Sequence, residues 1–218
     1  MSAKGHAPDG PDLPEELRDI ASPALADGDR LEEVALRDAL LAGSRARGVR
    51  LQAMTLDGAD LSASELDGLS LVDVRITGGN VANTRARGSH AVRAEISGAR
   101  LTGLSLPEAD LNDVVFRGCR ADLTSFARAR LRRVWFEDCM LTDADFGGAQ
   151  LTEVRFAGCD LSGADFRGAR TSRSEMRGVT LARVVGVESL RGMTLPWVDI
   201  IDNAATWAAA LGLRVSES

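Results

Sequence analysis

Cys119, Cys139 and Cys159 are the side chains of this 218-residue chain best suited to metal binding or thiol exchange, and they stand twenty residues apart. Structural zinc takes four donors converging tetrahedrally. The two histidines, His6 and His90, have no partner of a matching type at a metal-site spacing. A second concentration of chemistry is acidic. From Glu137 to Asp165 seven carboxylates accompany Arg155 as the only base, and Asp143, Asp145, Asp160 and Asp165 are the members suited to face a basic partner. No glycine-rich phosphate loop, nucleophile elbow or metal motif is present. Catalytic, metal-binding and cofactor-binding residues are therefore assigned to none, and a non-enzymatic chain is expected.

The elements that position these residues follow from a period. Apolar residues recur at every fifth position in one register from Leu31 to Leu181, through Leu51, Leu56, Leu61, Leu66, Leu71, Ile76, Leu111, Phe116, Phe126, Phe136, Phe146, Phe156 and Phe166. This makes 31 repeats. Two residues before each centre stands a mostly small or β-branched residue such as Ala59, Val74, Ala94, Ala109, Val134 or Ala164. Two residues after it, glycine fills 14 positions. Neither a helix of period 3.6 nor a strand of period 2 keeps a five-residue phase for so long, whereas a solenoid does.

The units read Ala59-Asp60-Leu61, Ala109-Asp110-Leu111, Ala144-Asp145-Phe146 and Ala164-Asp165-Phe166, with Cys159-Asp160-Leu161 as a variant. This pattern resembles the pentapeptide-repeat family over about residues 29–185. The resemblance implies an all-β solenoid, a right-handed quadrilateral β-helix with four pentapeptides per coil and about eight coils, and hence a rod of ~38 Å at a strand spacing of ~4.8 Å.

Four repeats per coil require every twentieth residue to stack, and the sequence satisfies this independently. One side carries Leu56, Ile76, Ile96, Phe116, Phe136, Phe156 and Met176; the opposite side carries Leu66, Ala86, Leu106, Phe126, Phe146 and Phe166; the sides between are leucine-rich. Ala86 and Ala91 are successive centres of reduced volume, where a thin core is expected. The three cysteines fall in the small inward column of Ala59, Gly79, Ala99 and Val179, which assigns them to packing. Glycine two places after a centre suits a corner of positive φ.

Composition sets the outer limits. The chain is 44% apolar and 27% charged, ordinary for a globular protein, with 4% aromatic residues and no tyrosine. No apolar run reaches the roughly 18 to 20 residues of a membrane span, no leader pattern is evident, and an odd cysteine count suits a reducing compartment, so a cytoplasmic location without membrane contact is expected.

A β-helix exposes a strand edge at each end and needs caps. Residues 1–12 are expected to be a disordered tail and 13–30 an N-terminal helical cap, since Pro14, Glu15 and Glu16 suit a helix start. Residues 31–185 form the β-helix. Residues 186–218 are a C-terminal cap with a helix from Trp197 to Leu211, its apolar stripe on Ile200, Ala204, Trp207, Ala208 and Leu211, and a short strand at Leu213, Arg214 and Val215. In quinolone-resistance members of the family the C-terminal segment makes a two-fold dimer, so the resemblance implies a homodimer with Trp197, Trp207, Leu211 and Leu213 at the contact.

Those members are thought to mimic DNA toward type II topoisomerase, which makes DNA gyrase or topoisomerase IV the partner the resemblance suggests. Duplex DNA carries one negative charge per ~1.7 Å, on the order of 22 over ~38 Å. Residues 29–185 hold 22 acids and also 22 arginines, and the net charge of −6 comes from the flanks. Along one column the order is Asp73, Arg93, Asp113, Arg133, Glu153, Arg173, alternating in sign, so neighbouring coils are expected to pair charges. The alternation and the lack of interleaved aromatics disfavour direct nucleic-acid binding. A rigid scaffold binding some other protein is the alternative reading. Trp135, outward on the solenoid, is a further candidate contact.

Overall fold

An inward side chain at every fifth residue forces the backbone around a corner between centres. In the computed structural model, which describes residues 6–21 and 23–213, the residue two places after each centre makes that corner. All 31 of these residues have positive φ: the 14 glycines and 17 others, including Arg93 at 50°, Leu123 at 59° and Arg133 at 50°. Left-handed backbone disfavours a side chain. It is held by hydrogen bonds between coils, such as Gly58 N to Thr77 O at 2.9 Å, Leu61 N to Asn80 O at 2.7 Å and Asp60 N to Ala39 O at 2.8 Å.

The product is a parallel β-solenoid of about eight coils. Two adjoining sides form regular strands, as in Arg50–Asp57, Ser70–Thr77, His90–Ser97, Asp110–Arg117 and Arg130–Glu137, each running through a left-handed corner. The other two sides meet through single bridges such as Asp145↔Asp165. The twenty-residue register is unbroken: Leu56↔Ile76, Ile76↔Ile96, Ile96↔Phe116 and Phe116↔Phe136 are partners.

Packing differs along the tube. In the C-terminal half, Phe116, Phe136 and Phe156 stack at 4.9 and 5.0 Å between ring centroids, and Phe126, Phe146 and Phe166 at 5.2 and 5.0 Å, with edge-on contacts across the tube at 5.6 to 6.2 Å. These arrangements suit the aromatic quadrupole. The N-terminal half is filled by Leu, Ile and Ala, and an apolar void of about 90 Å³ there is lined in part by Ala86 and Ala91. The void runs along the N-terminal half from Leu31 to Phe116 rather than at those alanines alone, and the register is unbroken past them.

Both ends differ from expectation. Among the described residues of 13–30 there is no helix. Arg18–Asp19 instead forms a strand parallel to Val34–Arg37, with Arg18 N donating to Glu33 O at 3.2 Å and Ile20 N to Ala35 O at 3.1 Å. The bare edge of the first coil offers backbone partners that a helix could not use. Residues 8–12 of the tail expected to be disordered lie against the solenoid wall; residues 1–5 of that tail lie outside the described residues.

At the other end the single helix expected over 197–211 is two, α1 (Trp197–Asp202) and α2 (Ala204–Ala210), broken at Asn203. Asn203 and Asp199 turn into the open edge of the last coil. Gly178 N donates to both oxygens of Asp199 at 3.0 and 2.9 Å, Leu181 N donates to Asn203 Oδ1 at 2.7 Å, and Asn203 Nδ2 donates to Val179 O at 3.1 Å. Thr206 Oγ1 adds a bond to Leu181 O at 2.8 Å. The strand expected after α2 lies outside the described residues from Arg214 onward. No helix among the described residues is long and apolar enough to cross a membrane.

Candidate interaction surface

The three cysteines are buried in one inward column. Their thiols donate to carbonyl oxygens of the preceding coil, Cys119 to Ile96 at 3.4 Å, Cys139 to Phe116 at 3.5 Å and Cys159 to Phe136 at 3.4 Å. Thr84, Thr124 and Ser174 make the same contact from equivalent places, to Leu61 at 2.6 Å, Leu101 at 3.2 Å and Leu151 at 3.1 Å. The position takes a small side chain in most repeats, commonly Ala or Val, and at Thr84, Thr124, Ser174 and the three cysteines the one donor finds a carbonyl of the preceding coil.

The acidic residues singled out above are occupied by their own turns. Asp145 Oδ1 accepts from Gly147 N at 2.8 Å, Asp160 Oδ1 from Ser162 N at 2.9 Å and Asp165 Oδ1 from Arg167 N at 2.8 Å, each an Asx-type bond two residues along the chain. Asp165 is also paired with Arg167, which holds its carboxyl below the usual range. Burial pushes Asp160 upward, but the hydroxyl and amide of Ser162 outweigh it and its carboxyl lies below the ordinary value. Asp145 and Asp165 neighbour each other on successive coils, Asp143 occupies a left-handed corner, and Asp160 lies on another side of the tube. Trp135 is half-buried beneath Arg155, whose guanidinium carbon lies 4.9 Å from the ring centroid.

Opposite charges pair between coils as their alternation requires. Arg93 grips both oxygens of Asp73 at 2.6 Å, Arg133 both oxygens of Asp113 at 2.5 Å, and Arg173 Nε reaches Glu153 at 2.8 Å. In a neighbouring column Arg117 bridges Glu95 and Glu137, both at 2.9 Å. The Asp73 carboxyl is held low by Arg93. For Asp113 burial acts upward, and Arg133 overcomes it.

Part of this column is covered. The amide of Asp12 donates to Asp73 Oδ1 at 2.9 Å and that of Asp9 to Asp113 Oδ1 at 3.4 Å, drawing residues 8–13 across the wall. The charge columns gave no sign of this contact. The signal available was the recurrence of Pro8, Pro11 and Pro14 with Asp9 and Asp12 between them.

At the C-terminal end Trp197 is 75% exposed, and Val198, Ile201, Leu211 and Leu213 are exposed with it. Trp207 turns inward against the solenoid core.

Residues 89–166 match the family model for a pentapeptide repeat region, and residues 159–184 match the model for pentapeptide repeats in eight copies. Residues 89–184 are pentapeptide repeats. No curated protein matches it significantly. Among solved structures, the chain is similar to HetL of the cyanobacterium Nostoc sp. strain PCC 7120, a pentapeptide repeat protein involved in heterocyst differentiation regulation. The identity is 22%, over 78% of this chain and 91% of that one, with a TM-score of 0.44. It is also similar to QnrB1, a plasmid-mediated fluoroquinolone resistance protein, at 17% identity over 91% of this chain and 99% of that one, TM-score 0.35. A third similar structure is Rfr23 of the cyanobacterium Cyanothece 51142, at 17% identity over 71% and 89%, TM-score 0.19.

Proposed function

We propose that this pentapeptide-repeat protein is a non-catalytic interaction rod that binds another protein through its walls. The observation that carries this reading is the filled interior: Phe126, Phe136, Phe146, Phe156 and Phe166 are fully buried in stacked layers, so the charged and hydrogen-bonding side chains face outward on flat sides. Catalysis needs a concave site with convergent polar groups. The rod works in the cytoplasm, and a second copy joins through the exposed apolar residues around Trp197 and Leu211.

A second, narrower reading makes the partner a type II topoisomerase, approached as a DNA mimic. Asp145 and Asp165 on successive coils, with Asp143 at the adjoining corner, favour it. The turn amides and Arg167 that engage these acids favour the broader reading.

The two are separated by assaying gyrase supercoiling, with and without a poison, at low micromolar rod. An effect that disappears in the variant carrying D143K, D145K, D160K and D165K, and that weakens as salt rises, supports mimicry. No effect at any ionic strength removes the topoisomerase. The broader reading then requires a partner captured by the wild-type rod and lost on reversing wall charges, and it fails if every captured protein is indifferent to them.

A further inference from the structure

The contact of residues 8–13 with the charged column has a repeat of its own. Pro8-Asp9-Gly10 and Pro11-Asp12-Leu13 are successive Pro-Asp-x triplets, followed by Pro14. Pro8, Pro11, Leu13 and Pro14 are half-buried, while Asp9, Gly10 and Asp12 are exposed. A polyproline II segment has three residues per turn and rises ~3.1 Å per residue, hence ~9.3 Å per turn. Asp73 and Asp113, which accept the two amide protons, are forty residues and therefore two coils apart, ~9.6 Å at the strand spacing. Three residues in that conformation would therefore span about two coils, the step that Asp9 and Asp12 make between Asp113 and Asp73. The column alternates in sign from coil to coil, so a two-coil step always lands on a carboxylate with an arginine between.

Cover changes the column. The side chains of Asp113 and Arg133 are 5% and 26% exposed and those of Asp73 and Arg93 are 11% and 38%, whereas the uncovered pair Glu153 and Arg173 are 21% and 63%. The carboxylates of Asp12 and Asp9 act favourably on Arg93 and Arg133 respectively.

We propose that the column from Asp73 to Arg133 is a docking groove for an extended peptide of Pro-Asp-x triplets, filled in this chain by its own residues 8–13 and open to such a segment of a partner protein when they leave. Backbone amides three residues apart meet Asp73 and Asp113, the carboxylates of Asp12 and Asp9, which carry those amides, act favourably on Arg93 and Arg133, and the prolines lie on the wall at little ordering cost because their φ is already set. This extends the interaction-rod reading to one wall and does not depend on the Asp143 corner.

The test uses the full chain with D9P and D12P, which deletes both amide donors and both carboxylates while keeping the segment extended. The probe is a fluorescent peptide of residues 6–14. It is expected to bind this variant at least tenfold more tightly than the wild-type chain, whose own strap competes at an effective concentration of order millimolar. A peptide with one alanine inserted after Gly10, which spoils the three-residue step without touching the protein, is expected to bind at least tenfold more weakly, and rising salt to weaken the intact peptide. Equal binding of both peptides, or binding of neither to the D9P/D12P chain, overturns the groove. A wild-type dimer that becomes monomeric in that variant overturns occupancy by the chain's own strap and means exchange between copies. Loss of gyrase activity or of any other wall partner leaves this result unaffected, so the two readings fail separately.

Discussion

The amide of Leu181 donates to Oδ1 of Asn203 at 2.7 Å, so a side chain beyond the solenoid completes a hydrogen bond that another coil would have made. Asn203 also donates to Val179 O and to Asp199 O. A polar lid of this kind closes the edge against pairing with another chain.

Asn203→Ala is therefore expected to leave a buried amide and carbonyl without partners, and to lower stability by about 2–4 kcal/mol. Thr206→Val is expected to lose about 1 kcal/mol. Urea unfolding followed by circular dichroism measures both, and a loss below about 0.5 kcal/mol for Asn203→Ala contradicts the lid.

The core gradient predicts effects of opposite sign. Phe146→Ala is expected to cost about 3–5 kcal/mol, since its ring is stacked on both sides and fully buried. Ala86→Leu places volume in the void of the N-terminal half, which Ala86 helps to line, and is expected to gain about 1 kcal/mol. Thermal melts distinguish filling from overpacking by the direction of the Tm shift.

How much of this was legible is best judged at particular residues. Centres such as Leu56 and Phe136 were readable because a closed tube accepts only apolar groups at a fixed period. The corners were half readable: glycine announces positive φ, but Arg93 and Leu123 adopt it under compulsion from the coils above and below. The ends misled for one shared reason. Pro14 and Glu15 suit a helix start, and Ile200 and Leu211 suit an apolar stripe, yet an open strand edge displays amides and carbonyls. It recruited the backbone of Arg18 and Ile20 at one end and the polar side chains of Asp199, Asn203 and Thr206 at the other. The adjacency of Asp145 and Asp165 follows from their twenty-residue spacing, but their engagement by local amides depends on turn geometry that spacing alone does not carry.

Charge deletions should sort by burial. Arg173→Ala removes an exposed partner of Glu153 and is expected to cost less than about 1 kcal/mol. Arg133→Ala strands the nearly buried Asp113 carboxylate and is expected to cost about 3 kcal/mol. Since the folded-state pKa values of Asp73 and Asp113 lie below their ordinary values, their contribution is present above about pH 4 and is lost as pH falls through the folded values. Acid titration of Asp113→Asn should show a shallower loss of stability below pH 4 than the wild type, and parallel curves would count against the assignment.

The buried thiols should be silent until the coil opens. Cys119 is raised chiefly through its contact with Cys139, with burial adding to it. Cys139 is drawn down by Cys119, but Cys159 and burial outweigh this and it is pushed up to about 12. Cys159 is drawn below the ordinary thiol value by its contact with Cys139, so at that position burial rather than ionisation limits reaction. A disulfide reagent at pH 8 is expected to modify all three at the global unfolding rate, and a fast phase from the folded chain would contradict the packing role.

Sedimentation is expected to give a dimer for the full chain and a monomer for the W197E/I201E variant, which places charge on the exposed face of α1. A wild-type monomer ends the pairing proposal.

A slender beam yields where its filling is loosest, and in this solenoid that stretch is the N-terminal half, whose void passes through the coil of Ala86 and Ala91. The strap is fastened to Asp73 on one side of that coil and to Asp113 on the other, spanning it along the outer wall. It therefore acts as a splint: with it fastened, flexing toward the opposite side must stretch a proline-stiffened segment, and with it detached, the loosely filled coils between Asp73 and Asp113 lose that brace.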